Sequence, residues 1–156
     1  AASDVYKRQF LLDAAHNPSG LAKVKQQLVD LSKHDNSEDK LCLLFGTSPQ
    51  QELTKMLENV KEICDEFSNV EIFLTKPTGG RYPPIEPKIL AGYEWGDITV
   101  SIWQNYTHAI DAILARSPAS VGNILSIGSL YLQGNILNYL GKNTDDDLSL
   151  LPKQSN

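Results

Sequence analysis

Five short apolar runs recur along this chain: QFLLD (9–13), LCLLF (41–45), VEIFLT (70–75), DITVSIW (97–103) and NILSIG (123–128). Between them lie stretches whose apolar residues repeat at helical spacing. Residues 19–31 carry the stripe Leu21, Val24, Leu28 and Leu31. Residues 48–67, opened by Ser48-Pro49, carry Leu53, Met56, Leu57, Val60, Cys64 and Phe67. Strand–helix alternation of this kind is met by a mostly parallel sheet with helices on both faces. The expected fold is α/β: a three-layer, Rossmann-like sandwich around a sheet of about five or six strands.

The remaining segments fit the same scheme. A polar turn covers 32–40, a Pro- and Gly-rich loop 76–84 and a short helix 86–91. A helix over 105–116 stops before Pro118, and the last runs from Ser129 to Leu140 with Gly141 as its C′ glycine. The run 97–103 alternates apolar and polar residues, unlike the others. The acidic tail KNTDDDLSLLPKQSN (142–156) is expected to be disordered. Residues 1–8 read as a linker or an assembly scar and are set aside from the fold. One domain over 9–141 is expected. The single methionine is Met56, so the chain reads as a piece of a longer polypeptide.

Composition narrows the partners. The net charge is −5, which argues against nucleic acid or an anionic membrane surface. No apolar run approaches the ~20 residues of a membrane span. Cys42 and Cys64, in a strand and a helix, read as buried free thiols of a reducing compartment. A cytoplasmic location is expected, with a mitochondrial one as the alternative.

Parallel strands place all their carboxyl ends on one edge, where open α/β sheets bind ligands. That edge collects Asp13, His16, Asn17, Thr47, Ser48, Lys76, Arg81 and Ser129. Each admits a plainer role. Asn17 or Ser19 suits a helix N-cap ahead of or beside Pro18, Ser129 suits another, and Thr47 and Ser48 read first as caps. Arg81 is either solvated charge or an anion contact. His34 and His108 read as structural or exposed. Asp13 is different: it closes an apolar run, and a buried carboxylate is costly unless hydrogen-bonded. An ionised carboxylate only accepts, which matches the vicinal hydroxyls of a ribose. His16, three residues on, donates or accepts near neutral pH.

Several signatures are missing. There is no G-x-x-x-x-G-K-[ST] phosphate loop, and DAAHNPSG lacks the glycines of a dinucleotide fingerprint. No catalytic Ser-His-Asp elbow and no zinc spacing occurs. An Asp/His rim without a phosphate loop reads as half of an active site.

The segment LLDAAHNPSG (11–20) resembles the D-x-A-H-N-P motif opening the C-terminal domain of folylpolyglutamate and dihydrofolate synthases, within the Mur ligase superfamily. IGSLYLQGNIL (127–137) resembles the last strand and helix of that domain. The resemblance covers residues 9–141. It implies an ATP-dependent amide ligation that joins L-glutamate to a pteroate or folate carboxylate through an acyl phosphate. It places the P-loop, the Mg2+ ligands and the pterin site in an N-terminal domain not contained in this sequence, so this domain alone is expected to be inactive. It implies that Asp13 contacts the ATP ribose, with Asn17 shaping the same ATP-side turn. It sets His16 on the glutamate or nucleotide side as the catalytic candidate, and Ser129 near the glutamate. Arg81 matches no motif and enters only as a candidate carboxylate contact. Two alternatives stay open: a Mur-type ligase acting on UDP-muramoyl substrates, and a non-catalytic α/β binding or interaction domain whose caps mimic the motif.

Overall fold

The computed structural model describes residues 10–13, 15, 17–34, 40–116, 123–141 and 148–150. Six strands are present among them: β1 (Phe10–Leu12), β2 (Lys40–Phe45), β3 (Asn69–Leu74), β4 (Thr99–Ile102), β5 (Asn123–Ile127) and β6 (Leu148–Leu150). The helices are α1 (Pro18–His34), α2 (Leu53–Asp65), α3 (Pro87–Ala91), α4 (Tyr106–Leu114) and α5 (Leu130–Gly141). The strands form one sheet in the order β4-β3-β2-β5-β1-β6, and every described pairing is parallel.

Side-chain alternation along each strand divides the core into two layers. Leu41, Leu43, Phe45, Ile72, Leu74, Leu125 and Ile127 face α1, α2 and α3. Cys42, Leu44, Phe73 and Ile124 face α4 and α5. Interior strands of such a sheet are buried on both sides, which is why LCLLF is apolar without a break. β4 alternates because it is an edge strand and only partly buried. The helical stripes supply the facing surfaces: Leu21, Val24 and Leu28 of α1 meet the cluster of Met56, Val60, Ile63 and Cys64 of α2. Full burial of each such side chain contributes about 1.5–3 kcal/mol.

The far end of the sheet is closed by a cation. Arg116 Nε donates to Glu71 Oε1 at 3.2 Å, its Nη2 pairs with Glu71 Oε2, and the guanidinium lies 5.6 Å from the Phe73 ring centroid. Both cysteines are buried and unbridged. Burial, reinforced by the charge of Asp65, pushes the Cys64 thiol up to about 12. No described helix is long and apolar enough to cross a membrane.

Four expectations need correction. Ser48-Pro49 does not open α2; residues 46–50 are irregular, and the helix starts at Leu53. Ile85 N–H donates to the Thr47 carbonyl at 3.0 Å and ties this segment to the chain ahead of α3. The polar turn begins later than expected, because α1 continues through His34. Gly141 is the last residue of α5 and has no positive φ, so it is not a left-handed C′ residue. Within the acidic tail, Leu148–Leu150 pair with β1 as a sixth strand. Three consecutive aspartates dominate the tail's composition and mask its three leucines. The remainder of the tail, residues 1–9 and Pro118 lie outside the described residues.

Candidate active site at the strand carboxyl ends

β1 and β5 are neighbours, yet the chain leaves them in opposite directions. From β1 it crosses by α1 to β2; from β5 it crosses by α5 to β6 on the other side. The two helices lie on opposite faces of the sheet. This is a topological switch point, where open α/β sheets have a crevice. The N-termini of α1 and α5 flank it, and a helix N-terminus favours an anion.

The chain ties the two sides of this crevice together with its own backbone. Asp13 N–H donates to the Ser126 carbonyl at 3.1 Å, and Gly128 N–H donates to the Ala15 carbonyl at 2.9 Å. These bonds tie Asp13 and Ala15 to Ser126 and Gly128, just ahead of Ser129. Gly128 has φ +109°, and a Cβ there would lie 2.5 Å from the Gly46 carbonyl oxygen. Gly46 in turn abuts β3: a Cβ on it would lie 2.8 Å from the Thr75 carbonyl oxygen. Two glycines thus let four strand ends share one tight rim.

Asp13 is 6 % exposed, and its Oδ1 accepts from Ala15 N–H at 2.7 Å. No described residue donates to its other oxygen. Burial raises its pKa, and the Ala15 N–H opposes that shift. Ser129 is buried and caps α5: its Oγ accepts from Leu132 N–H at 3.3 Å, while Gln133 Nε2 donates to its carbonyl at 3.1 Å. Asn17 caps α1, its Oδ1 accepting from Gly20 N–H at 2.9 Å. The capping roles weighed for these two residues are therefore present. His16 lies outside the described residues.

The other rim candidates divide. Thr47 is buried and accepts from Gln50 Nε2 at 2.9 Å, so neither it nor Ser48 caps a helix. Lys76 is paired with Glu86 at 3.0 Å rather than directed to the crevice. Asp13 and Lys76 follow strands three positions apart, a separation of roughly 14 Å at sheet spacing. Arg81 is exposed and belongs to a loop that comes back toward α5. There, Thr78 N–H donates to Asn135 Oδ1 at 2.8 Å, Asn135 Nδ2 donates to the Thr78 carbonyl at 3.2 Å, and Gly80 abuts the Tyr131 ring. His108 is exposed on α4.

Sequence reasoning missed Gly46, Gly128 and Asn135. A glycine directly after each of two apolar runs is a visible signal for close backbone approach. Asn135 has no such signal, since nothing near it in the sequence points to residue 78. Among the described residues no group of three or more His, Cys, Asp or Glu could hold a metal.

No protein-family model matches the chain, and no curated protein matches it significantly. Solved structures do. Mycobacterium tuberculosis folylpolyglutamate synthase complexed with ADP and AMPPCP matches with TM-score 0.63 and 21 % identity, covering 85 % of this chain and 30 % of that one. The same enzyme complexed with ADP matches with TM-score 0.62, 20 % identity and the same coverage. The α/β fold expected from the sequence is therefore the fold of a portion of M. tuberculosis folylpolyglutamate synthase, and this chain spans 30 % of that enzyme's length.

Proposed function

We propose that this domain is the glutamate-side half of an ATP-dependent amide ligase of the folylpolyglutamate or dihydrofolate synthase type. In that reaction a folate or pteroate carboxylate takes the terminal phosphoryl group of ATP, releasing ADP. The amine of L-glutamate then attacks the acyl carbon and displaces phosphate. Acyl phosphates hydrolyse, so a rigid domain that closes the cleft against water serves the chemistry.

The observation that carries the reading is the backbone tie of Asp13 and Ala15 to Ser126 and Gly128 at the switch point. It brings a buried acceptor and two helix N-termini to one crevice. The Asp13 carboxylate, with one oxygen engaged by backbone, fits a ribose diol as an acceptor. Asn17 is assigned to the same nucleotide side, through the turn it caps. Ser129 is assigned to the glutamate side through the helix start it fixes, since its hydroxyl is already engaged. His16 is assigned to the same cleft as the catalytic candidate, and Arg81 to a glutamate carboxylate. The described residues do not fit Mg2+, and the metal and the triphosphate are assigned to a separate P-loop domain of the same polypeptide.

In the intact ligase, Asp13→Ala is expected to raise the KM for ATP about tenfold, as loss of a charge-assisted hydrogen bond would. The KM for glutamate should move little. An unchanged KM for ATP would remove Asp13 from the nucleotide site. His16→Ala should depress turnover or glutamate use, and normal glutamate saturation at a normal rate would refute its role.

A further inference from the structure

The loop joining β3 to α3 is held at three points. At its base, Lys76 Nζ pairs with Glu86 Oε1 at 3.0 Å. Past its apex, Ile85 N–H donates to the Thr47 carbonyl on the rim at 3.0 Å. Between these, Asn135 grips both polar groups of the Thr78 peptide-bearing residue, accepting from its N–H and donating to its carbonyl. A Cβ on Gly80 would stand 3.2 Å from the Tyr131 ring, so the loop lies directly on α5. Close ends and internal packing make it an Ω-loop.

Its path crosses the sheet edge. It leaves β3, meets α5 on one face, and returns past Thr47 to α3, whose Leu90 packs on the opposite face. Asn135 and the Gly80–Tyr131 contact bring the loop to α5 although β3 and β5 are separated by β2, so no short-range feature of the sequence marks the crossing. The exposed Tyr82, Leu130 and Tyr131 stand along this crossing, at 66 %, 64 % and 44 % exposure.

We infer that Asn135 is a positioning residue that pins the 76–86 loop across the rim, setting its Arg81–Tyr82 tip as the outer wall of the glutamate side of the site. The inference rests on the ligase reading for the identity of the ligand, but the pinning itself does not. Asn135 touches no reacting atom in this scheme. It acts through the loop, and through Arg81 in particular.

The test uses Asn135→Ala, Asn135→Asp and Arg81→Ala. On this chain, tryptic cleavage after Arg81, followed by mass spectrometry, reports the pinning. Asn135→Ala should speed that cut about tenfold, as loss of two hydrogen bonds would. Asn135→Asp keeps the acceptor for Thr78 N–H and loses the donor, so it should fall between. A cut rate unchanged in Asn135→Ala would overturn the inference whatever the protein does. In the intact ligase, Asn135→Ala should raise the KM for glutamate about five- to tenfold and leave the KM for ATP within about twofold. Adding it to Arg81→Ala should cause no further rise. Additive effects, or a normal glutamate KM, would overturn the positioning role. Failure of the ligase reading shows separately, as an Asp13→Ala enzyme with unaltered ATP kinetics.

Discussion

Gly128→Ala is the substitution that presses hardest on the rim. Gly128 has φ +109°, a region costing a residue with a side chain about 1–3 kcal/mol. Its new Cβ would also meet the Gly46 carbonyl oxygen at 2.5 Å and Phe45 ring carbons at 2.7 and 2.9 Å. The carbonyl is backbone in a packed rim, and Phe45 is fully buried, so neither yields cheaply. Overpacking of this kind adds about 1–3 kcal/mol. The two together give about 2–6 kcal/mol, and for a domain of this size that lowers Tm by roughly 4–24 °C. Gly79→Ala is the control. Gly79 has φ +82°, but a Cβ there meets nothing within 4 Å. Only the backbone cost of about 1–3 kcal/mol remains. Urea unfolding, followed by the fluorescence of the buried Trp95 and the half-buried Trp103, measures both. The Gly128 variant is expected to lose clearly more stability. Equal losses would mean that the strand ends do not press together at Gly46 and Gly128.

Three further outcomes follow from individual groups. Burial raises the folded pKa of Asp13 above the ordinary 3.8, so between those values the native state holds the proton and the unfolded state does not. This group's contribution is therefore greatest below 3.8 and is lost as pH rises through the folded pKa. Asp13→Asn, which keeps an acceptor for Ala15 N–H, should be more stable than the parent at pH 7, with the difference shrinking toward pH 3; parallel pH profiles would contradict this. Cys64, held up to about 12, should not react with a disulfide reagent at pH 8 until the protein unfolds, and rapid native labelling would place it at the surface. Glu71→Gln should cost about 0.5–1 kcal/mol in urea unfolding, since the pair with Arg116 is partly exposed, and should leave ligand binding at the opposite strand end intact.

Much of this architecture was legible because burial imposes periodicity. LCLLF is a continuous apolar run, and NILSIG is broken only by the small buried Ser126, for the same reason that β2 and β5 sit in the middle of the sheet. The stripe Met56, Val60, Cys64 is a helix face fitted to that sheet. Asp13 stood out because a carboxylate at the end of a buried run demands a partner, and Ala15 N–H supplies one. What was not legible depends on contacts far apart in the chain. The irregular 46–50 segment is tied to Ile85, and the 76–86 loop to Asn135, and neither partner is marked locally. β6 was hidden by its neighbours' charge. Lys76 was read as a rim cation, but Glu86 ten residues on neutralises it.

The central claim is that a nucleotide ligand is held where the ends of β1 and β5 meet. A backbone amide NMR titration of this chain with ADP tests it most directly. Shift changes concentrated at Asp13–Gly20 and Gly128–Leu132, and abolished in Asp13→Ala, are the predicted result. Changes centred on Glu71 and Arg116 at the other end of the strands, or the same changes in the Asp13→Ala chain, would contradict it.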